Sequence, residues 1–389
     1  MFGTAEQKIR SVARAQAAAQ RISAWLAASD SERVAALVLT GPAAVAWACG
    51  GVAAPVDRTA AVDLVWAVFT ASGCALITTC VEADRIGDEY GPGEHGFAEL
   101  VTVPWQDADA FVRAAEQRAG APASRIAADG HLAFGLDASD DLIALRLALS
   151  EPEQEDLADL GTDAAAALQS ALVSWQPGER DLDIQARCAA ALEAVGADTP
   201  VLIVGGDDRL ERYRHPMAVG APVSRLAMAV VVARRGGLHV AATRFATSAP
   251  LSDSYAGLRR RVLAIEDAVL SASQPGRTYG AALAALDAGY ADTGAPGGWA
   301  GHYQGGPIGF AQREFEIAPD QGGSRWYREP IATGHAIAWN PSLPGGAKAE
   351  DTYLVTDSQL QRVTDAPGWP TEPHDGRRSP RPAVLEVGT

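Results

Sequence analysis

The feature that most constrains the fold is a long β-hairpin in the second half of the chain. Residues 226–233 and 238–245 are rich in β-branched and apolar side chains, and Arg234-Arg235-Gly236-Gly237 supplies the turn between them. Such runs separated by a glycine-containing turn predict paired antiparallel strands. Helical spacing follows at about 254–272 and 279–290, so the second half of the chain combines a sheet with helices.

The first half alternates helix and strand. A helix is predicted over 6–28, and short β-rich runs follow at 36–39, 64–69 and 75–79. Alternation of this kind is typical of a mixed or parallel sheet covered by helices. The predicted fold class is therefore α/β for the first part and α+β for the second.

A domain boundary is predicted near residue 150. Ser150, Pro152 and Glu153 have the pattern of a helix start, with a capping serine, a proline in the first turn and a capping-box glutamate. Helices at about 152–175 and 181–195 would then open a second domain. We predict domains of residues 1–148 and 149–389, each large enough to bury a core of its own.

Charge and composition exclude several classes of function. The chain has 48 acidic and 32 basic side chains and a net charge of −16, which argues against a nucleic-acid partner. The sequence contains no run of about 18 apolar residues, so no membrane span is predicted. The first residues lack the apolar segment of a signal peptide. The four cysteines show no C-x-x-C spacing and are expected to be reduced core residues of a cytoplasmic protein.

Three polar clusters lie where apolar or turn residues would be ordinary. The first is Arg212-Tyr213-Arg214-His215-Pro216, after a strand and a glycine-rich turn. The second is Gly301-His302-Tyr303-Gln304-Gly305-Gly306, which leads to Gln312-Arg313-Glu314. The third is Trp339-Asn340-Pro341, with Glu350-Asp351 ten residues after Asn340.

The order and spacing of these clusters resemble the creatinase/aminopeptidase P/prolidase family, which has the pita-bread fold. The resemblance covers about residues 20–357. It rests on five motifs, which are His215-Pro216, a hairpin that ends in Thr243-Arg244-Phe245, Gly301-His302-x-x-Gly305, Asn340-Pro341 and Glu350-Asp351-Thr352. It implies a creatinase-like N-terminal α/β domain (1–148), a pita-bread catalytic domain (149–389) and a homodimer.

The metal-dependent members of this family bind two metal ions through two aspartates, a histidine and two glutamates. The aspartate positions on the hairpin fall on Val230 and Ala241, and one glutamate position carries Asn340. Only His302 and Glu350 remain of the five ligands. Since carboxylates supply most of the charge that a hard divalent ion requires, we predict no metal and no other cofactor.

Creatinase itself works without metal, and the chain resembles it in the same places. The resemblance gives His215 the position of the proton shuttle and Arg313, eleven residues after His302, that of the substrate-carboxylate anchor. A histidine has a pKa suited to proton transfer near neutral pH, and an arginine offers a planar fork to a carboxylate. Thr243 and Asn340 stand where creatinase has carboxylates near its guanidinium group, which argues against creatine as the substrate.

Other residues complete the predicted site. His302 and Glu350 are predicted as catalytic residues, either as an acid–base pair or as a hydrogen-bonded relay, with a structural role left open. Thr243, Asn340 and Arg244 are predicted to bind substrate, although Arg244 has the alternative of pairing with Asp351 or Glu350.

Two basic residues outside the motifs complete the sequence-based predictions. Arg58 lies in a loop that resembles the family segment reaching into the partner subunit's site, so it is predicted to close that site over an anionic substrate. Lys348 adds a charge near Glu350, but a lysine in such a strand is usually solvated.

The sequence therefore predicts a metal-independent hydrolase that cleaves a C–N bond of a small anionic or zwitterionic substrate, with His215 as general acid/base. Lyase and isomerase chemistry stay open. Two alternatives are an Xaa-Pro aminopeptidase or dipeptidase that uses metal, and a catalytically silent pita-bread binding protein. A pocket lined by His215, His302, Arg313 and Glu350 would favour an enzyme, whereas one plugged by Met228 or Tyr303 would favour the silent protein.

Overall fold

The computed structural model describes residues 4–51, 56–131, 135–373 and 380–387. The chain divides into two compact units, which are Met1–Glu153 with Gly236–Leu238, and Gln154–Arg235 with His239–Thr389. The change of unit falls inside a helix, a few residues after the position expected from the sequence. The predicted domain limits of 1–148 and 149–389 stay predictions.

The first unit is built on one six-stranded sheet. Its helices are α1 (Ala5–Ala28), α2 (Pro42–Ala48), α3 (Ala83–Arg85), α4 (Ala110–Ala119) and α5 (Ser139–Leu147). Its strands are β1 (Ala36–Leu39), β2 (Val65–Thr70), β3 (Gly73–Thr79), β4 (Glu99–Val103), β5 (Ile126–Ala128) and β6 (Leu136–Asp137). The strand order is β4-β3-β2-β1-β5-β6.

This sheet confirms the mixed α/β prediction. Strands β1 and β2, and β2 and β3, are antiparallel, whereas β3–β4, β1–β5 and β5–β6 are parallel. All four residues of β1 and five of the six in β2 are buried, because these apolar runs lie in the middle of the sheet. The three β-rich runs read from the sequence are therefore β1, β2 and β3.

The second unit contains most of the predicted hairpin, except the turn residues Gly236–Leu238, together with helices and short strands. Its helices are α6 (Glu151–Val173), α7 (Asp181–Ala194), α8 (Asp208–Arg212), α9 (Asp253–Ala272) and α10 (Tyr279–Asp292). Its strands are β7 (Glu179–Arg180), β8 (Asp198–Gly206), β9 (Pro222–Val223), β10 (Leu226–Arg235), β11 (Leu238–Thr247), β12 (Gly305–Ile308), β13 (Ala336–Trp339), β14 (Ser342–Leu343), β15 (Ala347–Lys348), β16 (Tyr353–Val355), β17 (Leu360–Arg362), β18 (Thr371–Glu372), β19 (Arg381–Pro382) and β20 (Leu385–Glu386).

Two four-stranded sheets organise this unit, in the orders β20-β11-β10-β8 and β12-β13-β16-β17. Strand β11 also bonds to the segment that leads into β16. The Thr243 amide donates to the Glu350 carbonyl at 2.9 Å, and the Ala241 amide donates to Thr352 Oγ1 at 2.8 Å. These bonds bring the third sequence cluster beside the hairpin.

The hairpin is confirmed, but its strands are longer than predicted. Strand β10 runs to Arg235 and β11 starts at Leu238, so the turn is Gly236–Gly237 alone, with φ angles of 56° and 79°. The two arginines belong to the strand because acidic neighbours in the same unit hold them there. Arg234 pairs with Asp198 on β8, and Arg235 pairs with Asp163 on α6, each at 2.5 Å.

The predicted capping box at the start of α6 forms only in part. The Ser150 amide donates to Glu153 Oε2 at 2.7 Å, which is the glutamate half of the motif. The Ser150 hydroxyl is buried and has no hydrogen-bond partner among the described residues. The helix start is thus correct, whereas the serine cap is wrong.

The cysteine prediction holds for two residues of the four. All four thiols are free, and Cys49 and Cys188 are buried. Cys74 is half-buried and Cys80 is exposed, because they lie near the two ends of β3 rather than in its buried middle.

No helix in the described part of the chain combines the length and apolar character needed to cross a membrane.

Candidate active site

The loop that carries Arg214 and His215 is anchored by a strained aspartate. Asp207 follows β8 with φ 51° and ψ −130°, a backbone conformation that non-glycine residues rarely adopt. Its carboxylate accepts hydrogen bonds from the three backbone amides of residues 224–226, at 2.7–2.9 Å. These three hydrogen bonds hold Asp207 against the start of β10. They therefore fix the start of the loop that carries Arg214.

Arg214 extends to a serine that the sequence reasoning did not single out. Its Nη1 donates to the Ser342 hydroxyl at 2.5 Å and to the Ser342 carbonyl at 3.2 Å. The guanidinium lies against Gly301, where an added Cβ would stand 2.6 Å from Nη2. The glycine before His302 is therefore needed so that Arg214 can reach Ser342.

His302 is hydrogen-bonded on both ring nitrogens. Nδ1 lies 2.5 Å from the Tyr303 carbonyl oxygen and Nε2 lies 2.6 Å from Ser342 Oγ. A carbonyl can only accept, so Nδ1 carries the hydrogen, and Nε2 of the neutral ring accepts from the Ser342 hydroxyl. Burial, followed by the Lys348 and Arg214 charges, lowers the pKa of His302 to about 4 against the opposing effect of its backbone bond. The ring is thus neutral at pH 7.

A second layer of hydrogen bonds holds this pair in place. The Ser342 amide donates to the Tyr290 hydroxyl at 3.1 Å, and that hydroxyl donates to Gln304 Oε1 at 2.9 Å. Gln304 Nε2 in turn donates to the His302 carbonyl at 2.9 Å. Tyr290 and Gln304 are buried, so they link the backbones on both sides of the Ser342–His302 contact through a rigid, water-excluded bridge.

Glu350 is surrounded by donors rather than by other carboxylates. Lys348 Nζ lies 3.0 Å from Oε2, Thr243 Oγ1 donates to the same oxygen at 2.7 Å, and Asn340 Nδ2 donates to Oε1 at 3.3 Å. The Lys348 and Glu350 side chains are only 11% and 6% exposed, so the solvated lysine expected from the sequence is wrong. It is buried because the Glu350 charge needs a partner inside the protein.

No hydrogen bond joins Glu350 and His302 in the part of the chain that the structure describes, and their predicted catalytic roles stay predictions. The two carboxylate oxygens of Glu350 are occupied as above, and the His302 nitrogens face Tyr303 and Ser342. The two residues were brought together in the prediction only by their motif positions. In the structure Glu350 pairs with Lys348, and His302 bonds to Ser342.

Asn340, which donates to Glu350, also carries an acceptor atom that is not used. Its Oδ1 atom is buried and has no hydrogen-bond partner among the described residues. The amide orientation is fixed by Glu350, since a carboxylate requires the NH2 side as donor. Leaving a buried amide oxygen unpaired costs about 1–3 kcal/mol, a cost that a ligand N–H could offset. The predicted role of Asn340 in substrate binding stays a prediction.

His215 is exposed and lies within electrostatic range of this cluster. Partial desolvation lowers its pKa most, the Lys348, Arg313 and Arg214 charges lower it further, and only Glu350 raises it. Its imidazole is therefore predominantly neutral at pH 7 and able to accept a proton. His215 is thus within electrostatic range of three cations, Lys348, Arg313 and Arg214, and of one carboxylate, Glu350.

Arg313 lies at the exposed side of the same region. Its guanidinium pairs with Glu316 at 2.5 Å and stands over the Tyr303 ring, 4.0 Å from the ring centre. This pair is the alternative that competes with anchoring a substrate carboxylate. The Arg313 side chain is 43% exposed and that of Glu316 is 60% exposed, so the pair is weak and an anionic ligand can displace it.

Arg244 lies in a different, buried network. It donates to Asp351 at 2.8 Å, to the Thr364 carbonyl at 2.6 Å and to the Thr243 carbonyl at 2.9 Å. Of the two predicted pairing partners, Asp351 and Glu350, Arg244 pairs with Asp351, which gives it a structural role. Its predicted contact with substrate, like that of Thr243, stays a prediction.

Arg58 belongs to the other unit of the chain. It is exposed, in the segment where the Thr59 amide and hydroxyl both donate to Asp57 Oδ1. The residues 52–55 before it lie outside the described part of the chain. The predicted role of Arg58 depends on a homodimer, and both remain proposals.

A cavity of about 220 Å³ opens beside Ser342. Its polar lining includes Arg214, Ser342 and Lys348, and Met228 lies on its wall. His215, His302, Arg313 and Glu350 are not part of this lining within the described residues. Met228 lines the cavity, and about 220 Å³ stays open beside it, so the cavity matches neither the four-residue pocket expected for an enzyme nor a plugged one.

The residues present do not fit the two metal ions of the metal-dependent relatives. Val230 packs in an apolar cluster with Ile203, Met228 and Phe245. Within the described residues, no group of three or more histidine, cysteine, aspartate or glutamate side chains is placed to hold a metal ion. The five-ligand set is therefore replaced by apolar packing on the hairpin and by the Lys348 ammonium beside Glu350.

The sequence reasoning missed Ser342 and the roles of Arg214 and Lys348. Each stands one or two residues from a recognised motif residue, which are Asn340, His215 and Glu350. The sequence signal that could have found them is a polar side chain close to a motif residue whose usual partner in the family is absent from this chain. What no pattern gives is the contact between Arg214 and Ser342, which are 128 residues apart.

Comparison with solved structures identifies the fold. Dipeptidase PepE from Mycobacterium ulcerans matches with a TM-score of 0.71 and 22% identity over 96% of this chain and 98% of its own. The Xaa-Pro dipeptidase from Bacillus anthracis matches with a TM-score of 0.68 and 16% identity, over 91% and 98%. The N-terminal domain of the FACT complex subunit SPT16 from chickpea (Cicer arietinum) also matches, with a TM-score of 0.68 and 13% identity over 92% and 96%.

No protein-family model matches the sequence, and no curated protein matches it either. The structural matches cover about nine-tenths of the chain and confirm the predicted pita-bread fold. At these identities they show the fold alone.

Proposed function

We propose that this protein is a hydrolase that cleaves a C–N bond in a small, carboxylate-bearing substrate without a pair of bound metal ions. The observation that carries the proposal is the Lys348–Glu350 contact of 3.0 Å in a site whose hairpin positions are Val230 and Ala241. An internal ammonium ion neutralises the carboxylate that a metal pair would otherwise require. The fold shared with a dipeptidase and an Xaa-Pro dipeptidase supports hydrolysis of a C–N bond.

The residues around Glu350 support an anionic or zwitterionic substrate. Arg214, Arg313 and Lys348 supply positive charge, and an arginine fork suits a carboxylate. The unpartnered Asn340 Oδ1 suits an N–H group of the same molecule. A substrate with a carboxylate and a nearby amide or amine would satisfy both.

His215 acts as the general acid/base in this proposal. Its lowered pKa leaves the imidazole neutral at pH 7, so it can take a proton from water and later return one to the reacting groups. Its exposed position allows contact with a bound substrate, in contrast to the buried His335.

The test combines metal analysis with hydrolysis of a panel of N-acyl amino acids, N-carbamoyl amino acids and Xaa-Pro dipeptides. The full chain should hydrolyse at least one member after chelator treatment, and His215→Ala should lower kcat/KM about 10²–10⁴-fold. His131→Ala, at an exposed histidine of the other unit, is the matched control and should keep activity. About two tightly bound metal ions per chain, or full activity of His215→Ala, would overturn the proposal.

One observation favours a second candidate, a binding protein without chemistry. Met228 lies on the wall of the cavity and belongs to the same apolar cluster as Val230. Such a protein would bind members of the panel, as calorimetry would show, and would hydrolyse none of them.

A further inference from the structure

The contact between Ser342 and His302 has the form of an activated nucleophile. The Oγ–Nε2 distance is 2.6 Å, within the range of nucleophile–base pairs. The His302 ring is oriented by its other nitrogen, which donates to the Tyr303 carbonyl. That third group fixes the tautomer whose Nε2 can accept the serine proton, as the orienting carboxylate does in a catalytic triad.

Arg214 adds what the pair needs to ionise. Its guanidinium donates to Ser342 Oγ at 2.5 Å, so a permanent positive charge faces the oxygen that becomes negative when the proton leaves. Oγ therefore accepts one hydrogen bond from Arg214 and donates one to His302. Arg214 thus stabilises the negative oxygen, and His302 supplies the acceptor for its proton.

Ser342 is also placed at a surface that a ligand can reach. It lines the cavity of about 220 Å³ together with Arg214 and Lys348. A cavity of this size admits a small molecule. Its three cationic residues, Arg212, Arg214 and Lys348, outnumber its one carboxylate, Glu211, which suits an anionic ligand. A purely structural serine–histidine contact requires neither the cavity nor the guanidinium.

We propose that Ser342 is a catalytic nucleophile that forms a covalent acyl-enzyme ester, with His302 as its base and Arg214 as the group that stabilises the developing charge. The proposal deepens the proposed function and rests on it for the second half of the reaction. The substrate class is a small carboxylate-bearing amide.

The steps balance in atoms and protons. In the first step, Ser342 Oγ attacks the carbonyl carbon, the C–N bond breaks, and the Oγ proton passes through His302 Nε2 to the leaving nitrogen. In the second step, water attacks the ester carbon and gives a proton to His215, the bond between the ester carbon and Oγ breaks, and Oγ takes that proton from His215. The products are a free carboxylic acid and an amine.

The test uses an alkyl fluorophosphonate, which reacts with activated serines and does not require the substrate to be known. We expect one adduct per full-length chain by intact mass, mapped to Ser342 by peptide sequencing. Ser342→Ala should lose the adduct, and His302→Gln and Arg214→Gln should each slow its formation at least about tenfold. Ser248→Ala, at a serine whose hydroxyl donates to the Ser224 carbonyl, is the matched control and should label normally.

The outcomes separate this proposal from the proposed function. No adduct on the wild-type chain, or an adduct on another serine, would overturn the role of Ser342 even if His215-dependent hydrolysis is found. An adduct on Ser342 in a chain that hydrolyses nothing would support the nucleophile and overturn the proposed function instead. Mapping the adduct on the wild-type chain keeps the test decisive if Ser342→Ala fails to fold.

Discussion

Two adjacent carboxylates, Glu350 and Asp351, lie in networks of opposite character. The aspartate network consists of Asp351, Arg244 and Thr364, and the Asp351 carboxylate accepts from the other two at 2.8 Å and 2.6 Å. The glutamate network consists of Glu350, Lys348, Thr243 and Asn340, and it leaves Asn340 Oδ1 unpartnered. Both networks line a small cavity of about 30 Å³, and only the second also lines the cavity of about 220 Å³, through Lys348.

The difference teaches how a buried charge is used. A carboxylate paired by a buried guanidinium and a hydroxyl is a structural element, since its charge is neutralised within the protein. When a donor to a carboxylate also lines a cavity, as Lys348 does, a ligand in that cavity can reach polar atoms of the network. In this segment Asp351 therefore contributes to stability, and the adjacent Glu350 belongs to the candidate site.

The largest effect should come from breaking the aspartate network. Arg244→Met leaves Asp351 buried without its cation, and loss of one partner of a buried pair costs about 3–5 kcal/mol. Urea unfolding of the variant and the wild-type chain measures this difference. A loss below about 1 kcal/mol would show that Arg244 is not structural and would return it to the substrate-binding candidates.

The next effect concerns pH and His302. The folded pKa is about 4 and the unfolded value about 6.5, so the unfolded chain binds the extra proton first. The stability contributed by neutral His302 is therefore present above about pH 6.5 and is lost as pH falls to about 4, by about 2–3 kcal/mol. His302→Gln should reduce this pH dependence of urea unfolding between pH 4 and 7. An unchanged slope would mean that His302 is not held neutral by its surroundings.

A smaller effect is expected from Lys348→Met in the glutamate network. Glu350 loses its cation but keeps the Thr243 and Asn340 donors, so we expect a destabilisation of about 1–3 kcal/mol. Binding of an anionic substrate should weaken in the same variant, because the cavity loses one of its charges. If Lys348→Met destabilises the chain as much as Arg244→Met, the two networks have the same structural role and the comparison fails.

The smallest effect on stability is expected at Arg313, at the exposed rim. Arg313→Gln breaks an ion pair between exposed side chains and should change the free energy of unfolding by less than about 0.5 kcal/mol. The KM for a carboxylate substrate should rise about tenfold, since a charged hydrogen bond contributes about 1.5 kcal/mol. Glu316→Gln is the matched control, and it should leave KM unchanged or lower it because it frees the guanidinium. An unchanged KM in Arg313→Gln would remove Arg313 from the site.

Much of the framework followed from local patterns. Helix α1, strand β1 and the hairpin were predictable because apolar periodicity and glycine turns act over short stretches of chain. The misfit to a metal pair was also predictable, since Val230 and Ala241 have no donor atoms. The error about Lys348 had the opposite origin, because whether a lysine is solvated depends on a partner from elsewhere in the fold.

The sequence by itself determined the fold class, the position of the hairpin and the types of side chain available to a site. Only the tertiary structure decided which of those side chains meet. Glu350 meets Lys348 rather than His302, Arg244 meets Asp351, and Arg214 crosses to Ser342. The physical reason is that periodicity records which face of an element is buried, whereas a hydrogen bond depends on distances of about 3 Å between atoms far apart in sequence.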